Sequence, residues 1–255
     1  MASILEVARR RSLWVVEDAA CGFGARIDGR HAGTFGDAGC FSFHPRKAIT
    51  TGEGGMVITR RRDLAELTAS LRDHGASRSD FARHLDPQGF LLPEYPHLGF
   101  NYRMTDIQGA LGCAQMDRAD SVLAARKRLA AQYNARLASV EWIVPPATPA
   151  GFDHGYQAYV CLFRPESLSA ANVTRLHAAR NALMGTLARA GIATRPGTHA
   201  PVLSRYYTEK YGLRPDSFPH AVIADRLSLT LPLYPQMTDA EQSEVVDALI
   251  AAVAA

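Results

Sequence analysis

The chain has 255 residues, of which 47% are apolar and 21% are charged, and its formal net charge is +3. This composition predicts an ordinary soluble globular protein with one or two domains. The weak charge, with two isolated arginine triplets at Arg9–Arg11 and Arg60–Arg62, argues against nucleic-acid binding. No apolar run approaches the length of a membrane span, and the N-terminus lacks a signal-peptide pattern.

The spacing of the cysteines and histidines indicates a reducing cellular compartment and predicts no metal-binding site. The four cysteines lie far apart and form no C-x-x-C pair: Cys21, Cys40, Cys113 and Cys161. Reduced thiols in a cytoplasmic protein are the best interpretation. None of the nine histidines is paired at a metal-ligand spacing, so no metal site is predicted.

The first predicted elements lead to a pair of acids. Ser3–Glu6 matches a capping box, which predicts a short helix ending near Arg11. An apolar strand follows at Leu13–Val16 and ends beside Glu17 and Asp18. Open α/β sheets bind ligands at the carboxyl ends of their strands, so these acids are candidate ligand-binding residues.

A single lysine lies between the next two predicted strands. These are Cys40–Phe43 and Met56–Thr59, and the loop between them carries Lys47 and a glycine turn at residues 52–55. Burial disfavours the charged form of an amine, which leaves the nitrogen a usable nucleophile. Lys47 is therefore the candidate Schiff-base residue, although many such lysines only extend their head group into water.

Lys47 and Asp18 together suggest one cofactor. A carboxylate can keep a pyridinium nitrogen protonated, which makes the ring an electron sink. A Schiff-base lysine with such a partner is the minimal pair for pyridoxal phosphate (PLP).

The middle of the chain is predicted to be mostly helical. A helix is predicted at Asp63–Leu71, followed by a long loop over residues 77–98. Asn101 and Arg103 precede a capping box at residues 105–108, and on the residues alone they are capping or surface groups. The box starts a long helix whose predicted buried residues are Ile107, Leu111, Ala114, Leu123, Leu129, Tyr133 and Leu137.

Prolines at positions 145, 146 and 149 mark a predicted boundary. The first domain is predicted to cover residues 1–138, including the linking helix, and the second to cover residues 139–255. The second domain has predicted strands at 158–163, 192–195 and 227–233 and predicted helices at 173–190, from Pro219 and from Thr238. A loop between these elements carries His199, Tyr206 and Tyr207.

Three long motifs together resemble one family. EDAACGFGA at residues 17–25, GTFGDAGCFSFHPRKAITTGEGGMVIT at 33–59 and GFNYRMTDIQGALG at 99–112 are similar to the DegT/DnrJ/EryC1/StrS family. The resemblance runs from about Ile4 to the C-terminus. It implies a PLP-dependent sugar aminotransferase with the aspartate-aminotransferase (type I) fold. The implied fold class is α/β, in which part of the large domain, a mixed sheet flanked by helices, is joined to a small α+β C-terminal domain.

The resemblance also implies roles for the cofactor site. Lys47 holds PLP and acts as general base and acid, Asp18 holds the ring nitrogen protonated, and Ser42 gives its hydroxyl to the phosphate. Asn101 resembles an asparagine that reaches the cofactor phosphate of the other subunit, so a homodimer with shared sites is expected. Many family members have glutamine, contacting the 3′-oxygen of the cofactor, where this chain has Cys21, whose thiol is a weak donor.

The implied reaction moves an amino group from an amino acid, by family analogy glutamate, to a nucleotide-linked keto-deoxysugar. His44, Arg103 and His199 are predicted to contact substrate. Dehydratase relatives have histidine where this chain has Lys47, so the lysine favours transamination. Another PLP reaction, such as a lyase reaction, stays open.

The resembled proteins have a long segment before the point that matches the start of this chain, and it supplies part of the phosphate site. The alternative is therefore a non-catalytic or truncated family member: a fragment, a split-enzyme subunit or a regulatory relative that cannot complete the PLP site alone.

Overall fold

The computed structural model describes residues 1–88, 90, 92–164, 166–169 and 172–254. Contacts divide the chain into two units. The first unit comprises residues 1–120 and 150–157, and the second comprises residues 121–149 and 158–255. The predicted domain division at residue 138 stays a prediction.

The elements whose residues lie in the first unit begin with helix α1 and alternate short strands with helices. They are α1 Ala2–Arg10, β1 Val16–Asp18, β2 Arg26–Ile27, β3 Arg30–His31, β4 Ala38–Ser42, β5 Gly55–Ile58, α2 Arg62–Leu71, α3 Asp80–His84 and α4 Asp106–Met116. Helix α5, Ala119–Leu137, follows and runs on into the second unit.

A mixed three-stranded sheet organises the first unit, in the order β1-β4-β5. Strands β1 and β4 are parallel, with Asp18 paired to Cys40, and β5 is antiparallel to β4. Two glycines allow the preceding loop to lie against the sheet, because a Cβ at Gly39 would collide with the carbonyl oxygen of Gly33. The predicted mixed α/β sheet is therefore confirmed.

A second small sheet brings a distant segment back to the first unit. Strand β7, Phe152–Asp153, pairs antiparallel with β2, which also pairs with β3. The backbone N–H of Asp28 donates to the carbonyl oxygen of Gly151 at 2.7 Å, which closes this junction. Residues 150–157 thus contribute to the unit that holds Lys47.

The second unit is an antiparallel sheet with helices, as the predicted α+β domain requires. Its further elements are β6 Ile143–Val144, β8 Tyr159–Phe163, α6 Val173–Arg189, α7 Arg205–Tyr211, α8 Pro219–Leu227, β9 Ser228–Leu231 and α9 Asp239–Ala254. The sheet order is β6-β8-β9. Its largest fully buried side chains include Tyr133, Tyr159, Leu176, Leu187, Leu229 and Leu249.

Three hydrogen bonds from buried or partly buried polar side chains cross-link this core. The hydroxyl of Tyr133 donates to the carbonyl oxygen of Pro232 at 2.9 Å, and that of Tyr159 donates to Asn134 Oδ1 at 2.6 Å. Gln242 Nε2 donates to the carbonyl oxygen of Leu129 at 2.8 Å. Because a buried polar group without a partner costs about 1–3 kcal/mol, these bonds fix how α5, α9 and the sheet pack.

Several predicted boundaries need correction. The strand predicted at Leu13–Val16 lies instead at Val16–Asp18. Ser3 does not cap α1, whose N-cap is Met1 with no side-chain hydrogen bond. The predicted 77–98 loop contains α3, and Tyr206 and Tyr207 lie on α7 instead of in a loop.

The predicted long helix is two helices. The first, α4, ends at Met116, and α5 begins at Ala119. Leu129, Tyr133 and Leu137 are buried as predicted, but Ile107 is 84% exposed and Leu111 is 42% exposed. The capping boxes at residues 105–108 and 238–241 are confirmed by their reciprocal hydrogen bonds.

Among the described residues, no helix is both long and apolar enough to cross a lipid bilayer.

Candidate active site

Lys47 lies on a loop that returns to the strand from which it leaves. Its backbone N–H donates to the carbonyl oxygen of His44 at 2.9 Å, and that of Thr51 donates to the carbonyl oxygen of Phe43 at 3.0 Å. Ile49, which is 2% exposed, anchors the loop in a cluster with Phe43 and Ala119. The Lys47 side chain is half-buried at the carboxyl end of β4.

Gln157 braces this loop from far along the chain. Its Nε2 donates to the carbonyl oxygen of Arg46 at 2.6 Å, and its Oε1 accepts from the backbone N–H of Ala48 at 3.0 Å. The amide therefore holds both peptide groups that flank Lys47. We did not identify Gln157 from the sequence, because no local pattern links position 157 to position 47.

Asp18 lies at the carboxyl end of β1, beside the strand that leads to Lys47. Side chains alternate between faces along a strand, so the register places Asp18, Cys40 and Ser42 on one face of the sheet. Asp18 is exposed, and its Oδ1 accepts the backbone N–H of Ala20 at 3.0 Å. Its carboxylate thus reaches solvent at the edge where ligands of such sheets bind.

The neighbouring acid, Glu17, has a structural role. Its carboxylate accepts the backbone N–H groups of Gly33 at 2.8 Å, Gly36 at 2.7 Å and Phe35. These bonds tie β1 to the glycine-rich loop on the opposite face from Asp18. The structure thereby separates two acids that the sequence presented side by side.

Cys21 and Lys47 are in direct contact. Lys47 Nζ lies 3.0 Å from Cys21 Sγ, and Cys21 is exposed. Cys21 follows Asp18 by three residues, so the turns after β1 and β4 converge at one edge of the sheet. The structure therefore brings the predicted Cys21 and Lys47 together.

Ser42 ends strand β4, and His44 lies in the turn that follows and carries Lys47. Ser42 Oγ accepts the backbone N–H of His44 at 3.3 Å, and His44 Nδ1 accepts that of Arg46 at 3.1 Å. His44 Nε2 lies 3.9 Å from a carboxylate oxygen of Glu53. Because Nδ1 accepts, the neutral ring of His44 carries its proton on Nε2.

Arg103 lies in a different part of the first unit, at a cavity beside β5. Arg103 Nη1 forms an ion pair with Asp73 Oδ1 at 2.6 Å. Asn101 is exposed, and its backbone forms an isolated antiparallel β-bridge with that of Asp73. The cavity has a volume of about 940 Å³, and its lining includes Arg103 but neither Lys47 nor Asp18.

His199 belongs to the second unit. Its side chain is 91% exposed, and its Nδ1 lies 3.9 Å from Asp225 Oδ2. Its role in substrate binding stays a prediction, as do those of Asn101, Arg103 and the other site residues.

Across the part of the chain that the structure describes, no group of three or more His, Cys, Asp or Glu residues is arranged to hold a metal ion.

Comparison with known proteins identifies the family. The family model for the DegT/DnrJ/EryC1/StrS aminotransferase family matches residues 1–250. The chain is 34% identical to the uncharacterized protein MJ1066 of Methanocaldococcus jannaschii over 249 residues, covering 98% of this chain and 62% of that protein. It is 36% identical to GDP-perosamine synthase of Caulobacter vibrioides over 250 residues, covering 98% and 61%.

A solved structure agrees with this assignment. The putative sugar aminotransferase Spr1654 of Streptococcus pneumoniae, in its PLP form, matches with a TM-score of 0.79 and 25% identity, covering 94% of this chain and 57% of that one. The chain therefore spans about three-fifths of the length of the relatives it matches. On the match over residues 1–250, this chain belongs to the DegT/DnrJ/EryC1/StrS aminotransferase family.

Proposed function

We propose that this chain carries the cofactor lysine and its acidic partner in a PLP-dependent aminotransferase. The donor is an amino acid, glutamate by family analogy, and the acceptor is a nucleotide-linked keto-deoxysugar. The name of the GDP-perosamine synthase relative supports a nucleotide-linked sugar, and the PLP form of Spr1654 supports the cofactor.

One observation carries the proposal: the turns after two adjacent parallel strands meet at Lys47. The turn after β1 starts at Asp18 and places Cys21 at 3.0 Å from Lys47 Nζ. An amine and a carboxylate at one sheet edge are the groups that a pyridoxal ring needs at its aldehyde and its ring nitrogen.

The residues of this chain would divide the work. When bound, PLP supplies an electron sink that stabilises a carbanion at the substrate carbon. The Lys47 amine would hold the cofactor covalently, and as a free amine it would move a proton to and from that carbon. Asp18 keeps the ring nitrogen protonated, and the Ser42 hydroxyl and the partner's asparagine, equivalent to Asn101, bind the phosphate.

Substrate contacts are assigned to His44, Arg103 and His199. His44 shares its turn with Lys47, which favours a contact close to the reacting atoms. Arg103 lines a large cavity, where its guanidinium, which is paired with Asp73, would also contact a phosphate of the nucleotide. The side chain of His199 is 91% exposed and is therefore accessible to a ligand.

A homodimer with shared sites is part of the proposal. Asn101 is exposed, and so are large apolar side chains around it: Leu98 is 94% exposed and Tyr102 is 70% exposed. Exposed apolar surface of this kind is typical of a protein interface. The four free cysteines fit the cytoplasmic location that the sequence predicts.

The test is reductive trapping of the cofactor. PLP is added to the chain, borohydride reduces any Schiff base, and peptide mass spectrometry locates the pyridoxyl group. We expect it on Lys47 and absent from Lys47→Arg, while Lys127→Arg, which removes a lysine on α5, keeps it. Labelling of Lys127 or Lys210 instead of Lys47 would contradict the proposal.

A second measurement tests the reaction. Glutamate and keto-sugar nucleotides are supplied together, and release of 2-oxoglutarate is followed. Trapping at Lys47 without 2-oxoglutarate release would favour another PLP reaction, such as a lyase reaction. Absence of both would favour the non-catalytic or truncated alternative.

A further inference from the structure

The contact between Cys21 and Lys47 joins a nucleophilic amine to an oxidisable thiol. Lys47 Nζ and Cys21 Sγ are 3.0 Å apart, a distance at which only a small movement separates contact from bonding. Cys21 is exposed, so a small oxidant reaches its sulfur from solvent. Lys47 is half-buried, and its backbone is held by Gln157 on both sides.

We propose that Cys21 and Lys47 form an oxidative modification site, in which hydrogen peroxide or another hydroperoxide links Sγ to Nζ covalently. In the first step the Cys21 sulfur attacks the peroxide, the O–O bond breaks, and sulfenic acid and water form. In the second step the lone pair of Lys47 Nζ attacks that sulfur and the S–O bond breaks. The leaving hydroxide takes a proton from the nitrogen and departs as a second water.

The two steps balance without another reagent. The thiol and the amine together lose two hydrogens, one S–N bond forms, and one hydroperoxide is reduced to two waters. Two equivalents of a small thiol reverse the link: they return the thiol and the amine and are themselves oxidised to a disulfide. The modification is therefore reversible under reducing conditions.

The other cysteines lie in different surroundings. Cys161 is 1% exposed, and burial raises the pKa of its thiol to about 12, so it resists oxidation. Cys113 is exposed on α4 and therefore offers a matched control thiol. The chain has three lysines, and the two besides Lys47 lie on α5 and α7, at positions 127 and 210.

The link would occupy the Lys47 nitrogen, which the proposed function requires for binding PLP. The effect of the link on PLP binding therefore rests on the proposed function. A chain linked at Lys47 cannot hold PLP through the same nitrogen. Bound PLP, in turn, occupies the nitrogen and protects Lys47 from linking. Oxidation would thus act on the cofactor-free protein.

The experiment treats the full chain, without added PLP, with about one equivalent of hydrogen peroxide. Peptide mass spectrometry then searches for a Cys21–Lys47 pair that is about 2 Da lighter than the sum of its two peptides. We expect the pair in the wild type, in Cys113→Ser and in Lys127→Arg, and its loss in Cys21→Ser and in Lys47→Arg. A thiol reductant should remove it, and prior loading with PLP should reduce its yield at least severalfold.

Lys47→Arg removes the amine that would attack the sulfenic acid, so dimedone should trap the sulfenic acid on Cys21. Dimedone trapping on Cys21 of the wild type, with no linked pair, would overturn the proposal. A linked pair that persists in Cys21→Ser would also overturn it. If PLP is trapped on Lys47 but the Cys21–Lys47 link does not form, only the oxidative link is refuted. If the link forms but PLP is not trapped on Lys47, only the proposed function is refuted.

Discussion

The side-chain amide of Gln157 hydrogen-bonds to both peptide groups that flank Lys47. A residue 110 positions away thus fixes the backbone on each side of the nitrogen that the proposed reaction uses. Pre-organised geometry of this kind can supply several kcal/mol to catalysis, because small displacements of a reacting group are costly.

The first prediction concerns Gln157. Gln157→Ala leaves the carbonyl of Arg46 and the N–H of Ala48 without their partner, which costs about 1–3 kcal/mol locally. We expect kcat to fall about tenfold with little change in KM, since about 1.4 kcal/mol is tenfold in rate. Hydrogen exchange at the Ala48 amide should accelerate in parallel.

Gln115→Ala is the matched control for this variant. Gln115 Oε1 accepts from the backbone N–H of Thr50 in the same loop, but at 3.4 Å and away from Lys47. Equal losses of kcat in the two variants would show that the brace at Gln157 has no special role.

The second prediction separates the two adjacent acids. Glu17→Gln removes a carboxylate that accepts three backbone N–H groups, so the free energy of unfolding should fall by about 2–3 kcal/mol. Asp18→Asn keeps an oxygen for the N–H of Ala20 and should change stability by less than about 0.5 kcal/mol. It should nevertheless abolish transamination, because an amide cannot hold the ring nitrogen protonated.

Urea unfolding and 2-oxoglutarate release measure the two effects on the same preparations. Full activity in Asp18→Asn would contradict the assignment of Asp18, and full stability in Glu17→Gln would contradict that of Glu17.

The third prediction concerns pH and His154, which lies in the segment that carries Gln157. Burial lowers the pKa of His154 below its ordinary value of 6.5, against the opposing effect of Asp153. Its Nδ1 accepts the backbone N–H of Tyr156 at 2.8 Å, a bond that only the neutral ring can accept. The unfolded chain takes up the proton first, so stability is complete above about pH 6.5 and declines as the pH falls below it.

His154→Asn supplies an acceptor that does not titrate. We expect the loss of stability between pH 7.5 and pH 5.5, followed by urea unfolding, to be smaller in this variant than in the wild type. His177, whose pKa burial also lowers, contributes equally to both proteins, so the difference isolates His154. Parallel pH profiles would refute the prediction.

The fourth prediction ranks thiol reactivity. Cys161 is 1% exposed with a pKa raised to about 12, whereas Cys21 and Cys113 are exposed. Iodoacetamide at pH 8 should therefore label Cys21 and Cys113 in the native chain and reach Cys161 only after unfolding. If Cys161 in the native chain is labelled as fast as Cys113, the prediction is wrong and the core of the second unit opens readily.

The sequence predicted the central strand-loop-strand unit because its determinants are local. Two short apolar runs, a glycine turn and one lysine lie within 20 positions, and the strands formed within a residue or two of their predicted places. The capping boxes at 105–108 and 238–241 were predictable for the same reason.

What the sequence did not reveal depends on contacts between distant positions. The roles of Glu17 and Asp18 follow from which face of β1 each side chain occupies. The predicted strand ended two residues too early, at Val16, and therefore did not include either acid. Ile107 and Leu111 have the spacing of an apolar helix face, but spacing alone cannot show whether another part of the chain covers that face. In the described part of the chain both side chains are exposed. Gln157 could be found only once β7 was seen to pair with β2.

The return of residues 150–157 to the first unit sets an order for synthesis. A nascent chain that has reached residue 120 holds every other element of that unit, yet its lysine loop still lacks the amide that clamps it. The ribosome must add almost 40 more residues before the clamp can close. The lysine loop is therefore completed last among the parts of the first unit. A fragment that ends before residue 150 would keep Lys47 but would lose the two hydrogen bonds that fix its backbone.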